Sequence, residues 1–136
     1  VRPYRILVTG WRGWPLADRL VVWSTLRHVV DLYANGRPVI VVHGQCPAGG
    51  VDLFADQWAT TTDGVQSERW PAAWEQHGRR AGPLRNGQMV DAGADICLVF
   101  PGPGSVGTWD CLRKAAAAGI WAWVVPYTDA ETAAAF

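Results

Sequence analysis

The chain of 136 residues has no excess of either charge, since 12 basic residues stand against 12 acidic ones. A protein held mainly on the phosphates of long nucleic acid usually shows a basic surplus. The balance argues against that class but leaves a small nucleotide open. Lysine is almost missing, Lys114 being the single one, so nearly every base is an arginine. No apolar run is long enough to cross a bilayer, and a membrane is not expected as a partner. Val1-Arg2-Pro3-Tyr4-Arg5 leads straight into a strand-like run, without the h-region or cleavage site of a secretory signal. Cysteine is scarce: Cys46, Cys97 and Cys111 are odd in number and too widely spaced for a CxxC metal site or a disulfide framework. Free thiols in a reducing cytoplasm are expected, with no metal and no cofactor.

What is abundant is apolar surface. Hydrophobic residues make up 49% of the chain, enough for one domain to bury a real core. Tryptophan occurs 9 times, which leaves rings over for core, interface or ligand platform alike.

Strands and helices alternate. Residues 4–9, 39–42, 65–70, 96–100 and 121–125 read as strands, the third being the weakest. Pro15 suits a helix start, and Leu16, Leu20, Trp23, Leu26, Val30 and Tyr33 recur at helical spacing up to a stop at Asn35-Gly36. Further helices are expected over residues 51–60, from Pro83 to about Ala92 with Gly93 as the stop, and over 109–118. Residues 71–82 read as an irregular loop holding Trp74, His77, Arg79 and Arg80. Thr128 and Glu131 have capping-box spacing before a short tail helix. Near-continuous apolar strands between helices predict an α/β fold: a single Rossmann-like three-layer domain on a parallel five-stranded sheet. The core is expected over residues 4–126. In such sheets ligands bind beyond the C-terminal strand ends, where the strand order reverses. An order 3-2-1-4-5 sets the loops after strands one and four side by side.

Those loops hold the unusual residues. Pro101, Gly102, Gly104, Ser105, Gly107 and Thr108 follow the fourth strand and open a helix, a general recipe for an anion site. The GK[ST] ending of a P-loop is absent. Gly10 and Arg12 follow strand one, and the guanidinium can fork onto a phosphate or lie solvated. Trp11 and Trp14 can stack on a base or pack on helix or partner. His43 and Gly44 follow strand two, with His43 either donating to a ligand or satisfied locally. Asp52, in the first turn of the next helix, either offsets the dipole or bonds a ribose. Arg85 and Asn86 fall just inside the helix begun at Pro83. An arginine in a first turn opposes the dipole, and Asn is a poor helix former; two broken rules together hint at a site.

In order, Val8-Thr9-Gly10-Trp11-Arg12, His43-Gly44, Gly50-Val51-Asp52, Ala81-Gly82-Pro83-Leu84-Arg85-Asn86-Gly87-Gln88-Met89, Ala94-Asp95 and Phe100-Pro101-Gly102 through Gly107-Thr108 resemble the YspA-like branch of the SLOG superfamily. That superfamily also holds the Lonely Guy phosphoribohydrolases and the Smf/DprA DNA-processing proteins. The resemblance covers roughly residues 4–126 and implies a Rossmann-like fold that binds nucleotides or nucleotide-derived molecules. In the Lonely Guy enzymes an RKxxM helix supplies a catalytic arginine, and PGGxGTxxE supplies a phosphate loop and a catalytic glutamate. Arg85 matches that arginine. At the position of the glutamate stands Cys111, and a thiol does not replace a carboxylate in glycosidic cleavage. Asp110 is adjacent, but one helical step turns it by ~100° and is expected to face it elsewhere.

Three functions follow as expectations. The first is a sensor or sequestering module for a nucleotide-derived ligand. The second is a nucleoside 5'-monophosphate phosphoribohydrolase using Arg85, with Asp110 or Asp52 as the acid. The third, DNA binding, is weakest because the charge is neutral. A homodimer, through tryptophans and the alanine-rich helix, is a further expectation.

Overall fold

The apolar runs become strands in the computed structural model, which describes residues 1–127. The tail helix expected around Thr128 and Glu131 lies outside the described residues. The strands are β1 (Tyr4–Gly10), β2 (Val39–His43), β3 (Val65–Arg69), β4 (Ile96–Phe100) and β5 (Ala122–Val124). All pair in parallel, in the order β3-β2-β1-β4-β5. This is the expected Rossmann-like sheet and the expected order. Parallel neighbours need crossover connections, and here the crossovers are helices that cover the sheet. Every residue of β4 is buried for that reason. The sequence of β3, Val-Gln-Ser-Glu-Arg, is only half-apolar and sits at an edge, where one flank meets solvent.

The helices are α1 (Arg19–Val29), α2 (Val51–Thr60), the single turn α3 (Trp74–His77), α4 (Ala81–Asp91) and α5 (Val106–Ala117). Successive strand residues point to opposite faces. Ile6 and Val8 therefore join Val41, Leu98 and Phe100 beneath α1 and α2, where Val22, Leu26, Phe54 and Trp58 meet them. Leu7, Val42 and Val99 face the other way, onto Met89 and Val90 of α4 and Cys111 and Ala115 of α5. Two cores, one on each side of the sheet, give three layers. Burying each large side chain contributes ~1.5–3 kcal/mol.

Four local expectations shift. The stripe expected on helix one holds only in part: Leu16 and Leu20 are 65% and 62% exposed and Tyr33 is at the surface, while Trp23, Leu26 and Val30 pack on the core beside Val22 and Val29. Residues Leu16–Asp18 wind as a 3-10 turn, so they advance at a different angle from the helix that follows. The helix closes as expected, on Asn35 and Gly36 at φ 52° and 76°. The segment taken as irregular forms α3 and a 3-10 turn, Gly78–Arg80. That turn runs straight into α4, which starts at Ala81, so Pro83 is the third helical residue, still within the turn whose amides lack helical partners. Arg85 and Asn86 consequently lie in the second turn, away from the dipole's positive end. Finally, α5 begins at Val106, so Gly107 and Thr108 belong to its first turn.

The joint between the β1 loop and α2 rests on Gly50. Its φ of 74° and ψ of −145° suit glycine alone, and a Cβ there would overlap the backbone of Arg12. Gly50→Ala is expected to destabilise the fold by about 2 kcal/mol, read as a drop of several degrees in Tm by calorimetry.

Candidate functional site

β1 and β4 are neighbours, with Gly10 level with Phe100, and the Trp11 amide donates to the Phe100 carbonyl at 2.9 Å. The loops after the two strands therefore lie side by side at the point where strand order reverses. A cleft of about 540 Å³ opens there. Gly10, Trp11, Arg12, Gly44, Asp52, Arg85, Asn86, Gly104, Ser105, Gly107, Thr108 and Asp110 all line it. His43, Pro101 and Gly102 do not.

One wall is the start of α5. Ser105 caps its own loop: its Oγ accepts the Gly102 amide at 3.1 Å, and its amide donates to the Gly102 carbonyl at 3.2 Å. Gly104 turns the chain at φ 67° and accepts the Val106 amide through its carbonyl at 2.9 Å. The amides of Gly107 and Thr108, one and two residues on, have no carbonyl within the helix to bond. They bring the positive end of the helix dipole to the cleft. A Cβ on Gly107 would meet nothing within 4 Å, so the space before it is open.

Arg85 of α4 forms the opposite wall. Its Nη1 donates to the Gly44 carbonyl at 2.5 Å and to the Trp70 carbonyl at 3.2 Å, and its Nε donates to Asn86 Oδ1 at 3.0 Å. A Cβ on Gly44 would occupy the place of this guanidinium. Glycine at 44 is thus explained by an arginine. Gly10 and Gly102 likewise make room for protein, namely Val51 and the ring of Trp11. Nη2 of Arg85 has no protein partner among the described residues. Asn86 ties the two walls together, donating from Nδ2 to the Gly107 carbonyl at 3.2 Å and to Asp110 Oδ2 at 3.0 Å.

The two tryptophans of the first loop part company. Trp14 is 4% exposed, donates from Nε1 to the Pro101 carbonyl at 3.2 Å, and packs edge-on to Phe100 and Tyr127. It belongs to the core. Trp11 lies over Gly102 and against Tyr127, and one side of it faces the cleft.

The carboxylates differ in state. Asp52 is 8% exposed, and its Oδ2 accepts the Cys46 amide at 3.1 Å. Burial pushes its pKa up, against the pull of His43, Arg85 and the Cys46 and Gly44 amides. Asp110 also feels burial, but hydrogen bonds from Lys114 and Asn86, with the Lys114 and Arg113 charges, outweigh it and hold the pKa below the usual range. On α5 the orientation expected for Asp110 is corrected. Asp110 lines the cleft, while Cys111 is fully buried beneath it and packs on the sheet. A hydrogen bond with Cys111 and burial push the pKa of Cys97 up, keeping it a thiol.

His43 is satisfied within the protein. Its Nδ1 accepts the Gln45 amide at 3.0 Å, so in the neutral ring Nε2 carries the proton and meets Asp56 Oδ1 at 3.0 Å and Ser67 Oγ at 2.9 Å. Asp56 also takes Ser67 Oγ–H and both arms of Arg69. Burial works against its charge, but these hydrogen bonds from Arg69, Ser67 and His43 lower its pKa to about 2.

Thr9, Trp74, Arg79, Met89 and Arg113 line the cleft without having been singled out as ligand residues. Trp74 and Arg79 follow β3, and the strand-end rule applied to that third loop would have found them. The cleft is thus lined by Arg12, Arg79, Arg85 and Arg113 against Asp52 and Asp110, a net positive lining on a neutral chain. Arg12 and Arg79 make no side-chain hydrogen bond or ion pair among the described residues, whereas Arg113 reaches Asp110 only at 3.7 Å.

The two aspartates predict opposite pH behaviour. A raised folded pKa means that ionising Asp52 opposes folding at neutral pH, and that this cost vanishes on acidification. Asp52→Asn is expected to raise Tm at pH 7, with the gain shrinking toward pH ~4. Asp56, depressed from 3.8 to about 2, contributes stability that is full above 3.8 and is lost as pH falls through about 2. The stability advantage of the wild type over Asp56→Asn should shrink across that window, as thermal unfolding at graded pH would show.

Three comparisons bear on descent. Residues 4–77 match the model of the family described as "YAcAr: YspA, cpYpsA-related SLOG family". The chain is similar to the Gene 61 protein of Mycobacterium phage D29, at 47% identity over 120 residues, covering 85% of this chain and 91% of that protein. No solved structure matches. The first match spans β1 to α3, more than half of the chain, and the second extends over most of the remainder. The chain belongs to the YspA, cpYpsA-related SLOG family.

Proposed function

We propose that this protein binds a nucleotide or nucleotide-derived molecule in the cleft between the β1 and β4 loops and acts as a sensor or sequestering module. Family membership points to a ligand related to nucleotides. The observation that carries the reading is the meeting of Arg85 with the open first turn of α5. A guanidinium with a free arm and unbonded helix amides, facing one space, suit a phosphate. Asp52 opens on the same cleft and is held on the loop after β2 by the Cys46 amide, a place from which a carboxylate can accept a ribose hydroxyl.

The second reading is N-glycosidic cleavage of a nucleoside 5'-monophosphate, releasing base and ribose 5-phosphate. The burial of Asp52 favours it. A carboxyl whose pKa is pushed up can hold a proton for the leaving base, whereas Asp110, held ionised by Lys114 and Asn86, is suited only to stabilising positive charge at the sugar. Arg85 would hold the phosphate. Water would add at the anomeric carbon as the carbon–nitrogen bond breaks; the Asp52 proton would leave on the base, and the proton lost by the water would restore Asp52.

Thermal-shift measurements against nucleoside monophosphates, NAD, ADP-ribose and cyclic nucleotides separate these readings from none. At least one is expected to raise Tm, and Arg85→Ala is expected to weaken its binding about 10- to 100-fold. A flat response to every compound overturns the proposal. Release of ribose 5-phosphate that is abolished in Asp52→Asn establishes the enzyme; binding without release, in every monophosphate, leaves the sensor.

A further inference from the structure

The cleft has a second lobe. A contiguous recess of about 330 Å³ is lined by Gln45, Pro47, Pro71 and Ala72, and shares Gly44, Cys46, Trp74 and Arg85 with the main cleft. The two lobes therefore meet at Arg85 and Trp74. Their chemistry differs. Three arginines besides Arg85 and the start of α5 belong to the main lobe only. The second lobe holds no charge except Arg85 at the junction. Its walls are proline rings, an alanine methyl and the Trp74 indole, flat and largely apolar. A ligand filling both would be anionic at one end and planar and neutral at the other.

Trp74 is held for such a role. It sits on α3, whose turn closes with the Gln76 and His77 amides on the Ala73 carbonyl, at 3.1 and 3.0 Å. The edge of its ring lies over Gly82, where a Cβ would come within 3.3 Å. The indole remains 51% exposed. A tryptophan braced on one side and open on the other, in a pocket, is a platform awaiting a flat partner. Across the lobe, Gln45 is exposed, carries a backbone φ of 49°, and is fixed through its amide on His43 Nδ1. Its carboxamide both donates and accepts, as the polar edge of a base requires.

Resting on the nucleotide reading above, we infer that Trp74 is the stacking platform for the base, which occupies the lobe bounded by Gln45, Pro47, Pro71 and Ala72 while the phosphate lies at Arg85 and the first turn of α5. The ligand class is thereby narrowed to phosphates that carry an aromatic heterocycle, and ribose 5-phosphate alone fills half of the site.

Isothermal titration of the full chain tests this with ribose 5-phosphate, the four common nucleoside 5'-monophosphates, NAD and ADP-ribose as probes. The tightest base-bearing probe is expected to bind at least about 10-fold better than ribose 5-phosphate. Trp74→Ala should erase that advantage, weakening the base-bearing probe about 10-fold more than ribose 5-phosphate, with circular dichroism and Tm certifying the fold of the variant. Trp74→Phe should keep most of the advantage. An unchanged ratio in Trp74→Ala, or base-bearing probes no tighter than ribose 5-phosphate in the wild type, overturns the inference and leaves the phosphate site standing. Binding by none of the probes overturns the nucleotide reading and this inference with it.

Discussion

Arg85 stands where a side chain on residue 44 would stand. Its guanidinium lies on the carbonyls of Gly44 and Trp70, which terminate the paths out of β2 and β3, and its own helix packs on α5. Two loops that leave the sheet at one edge are thus pinned by a single charged group. Fixing Nη1 and Nε on protein acceptors costs the arginine much of its conformational freedom before any ligand arrives. The arm that remains is already oriented, and less entropy is left to lose on binding. Asn86 extends the same lock to the start of α5 by holding the Gly107 carbonyl and Asp110 at once. A change at residue 44 or 86 would consequently act on the whole cleft and not on one contact.

The charges are arranged with the same economy. A neutral chain gathers four arginines around one cleft and sets only two carboxylates among them. Those two occupy different environments. Asp110 is at the rim, with Lys114 as a 2.8 Å partner, and its charge is stabilised. Asp52 is in the interior, where desolvation opposes its charge and outweighs the pull of His43, Arg85 and the Cys46 and Gly44 amides.

The glycines are instructive because they belong to two classes that look alike in the sequence. Gly10, Gly44 and Gly102 are small because Val51, Arg85 and Trp11 fill the space beside them. Gly104 is glycine for its backbone, at φ 67°, and Gly107 faces open space at the helix start. Only the last two have the properties that a phosphate cradle asks of glycine directly. The first three build the frame around the cleft.

Much was legible from local pattern. Apolar runs such as Ile96-Cys97-Leu98-Val99-Phe100 defined the strands, Asn35-Gly36 and Gly93 the helix stops, and the alternation of elements defined a parallel sheet. Those features depend on the backbone and on neighbours a few residues away, so sequence spacing contains them. The rule that ligands gather at the C-terminal strand ends then picked out Gly10, Arg12 and the loop to Thr108, while Arg85 stood out as an arginine near a helix start and by the family resemblance. Other features depend on what crosses the fold. The 3-10 turn at Leu16–Asp18 left the beginning of the expected helix stripe at the surface, and the early start of α4 moved Arg85 out of the first turn. His43 was taken up by Asp56 and Ser67, more than ten residues away in the chain. Which of two adjacent residues on α5 faces the cleft was decided by where that helix begins and how it lies on the sheet; the answer is Asp110, with Cys111 beneath. The sequence by itself determined the architecture and the edge of the sheet where the cleft opens, because both follow from hydrophobic periodicity and chain connectivity. Only the tertiary structure decided which glycines serve packing, which carboxyl is buried and which tryptophan is left open, because each of those rests on groups brought together from distant parts of the chain.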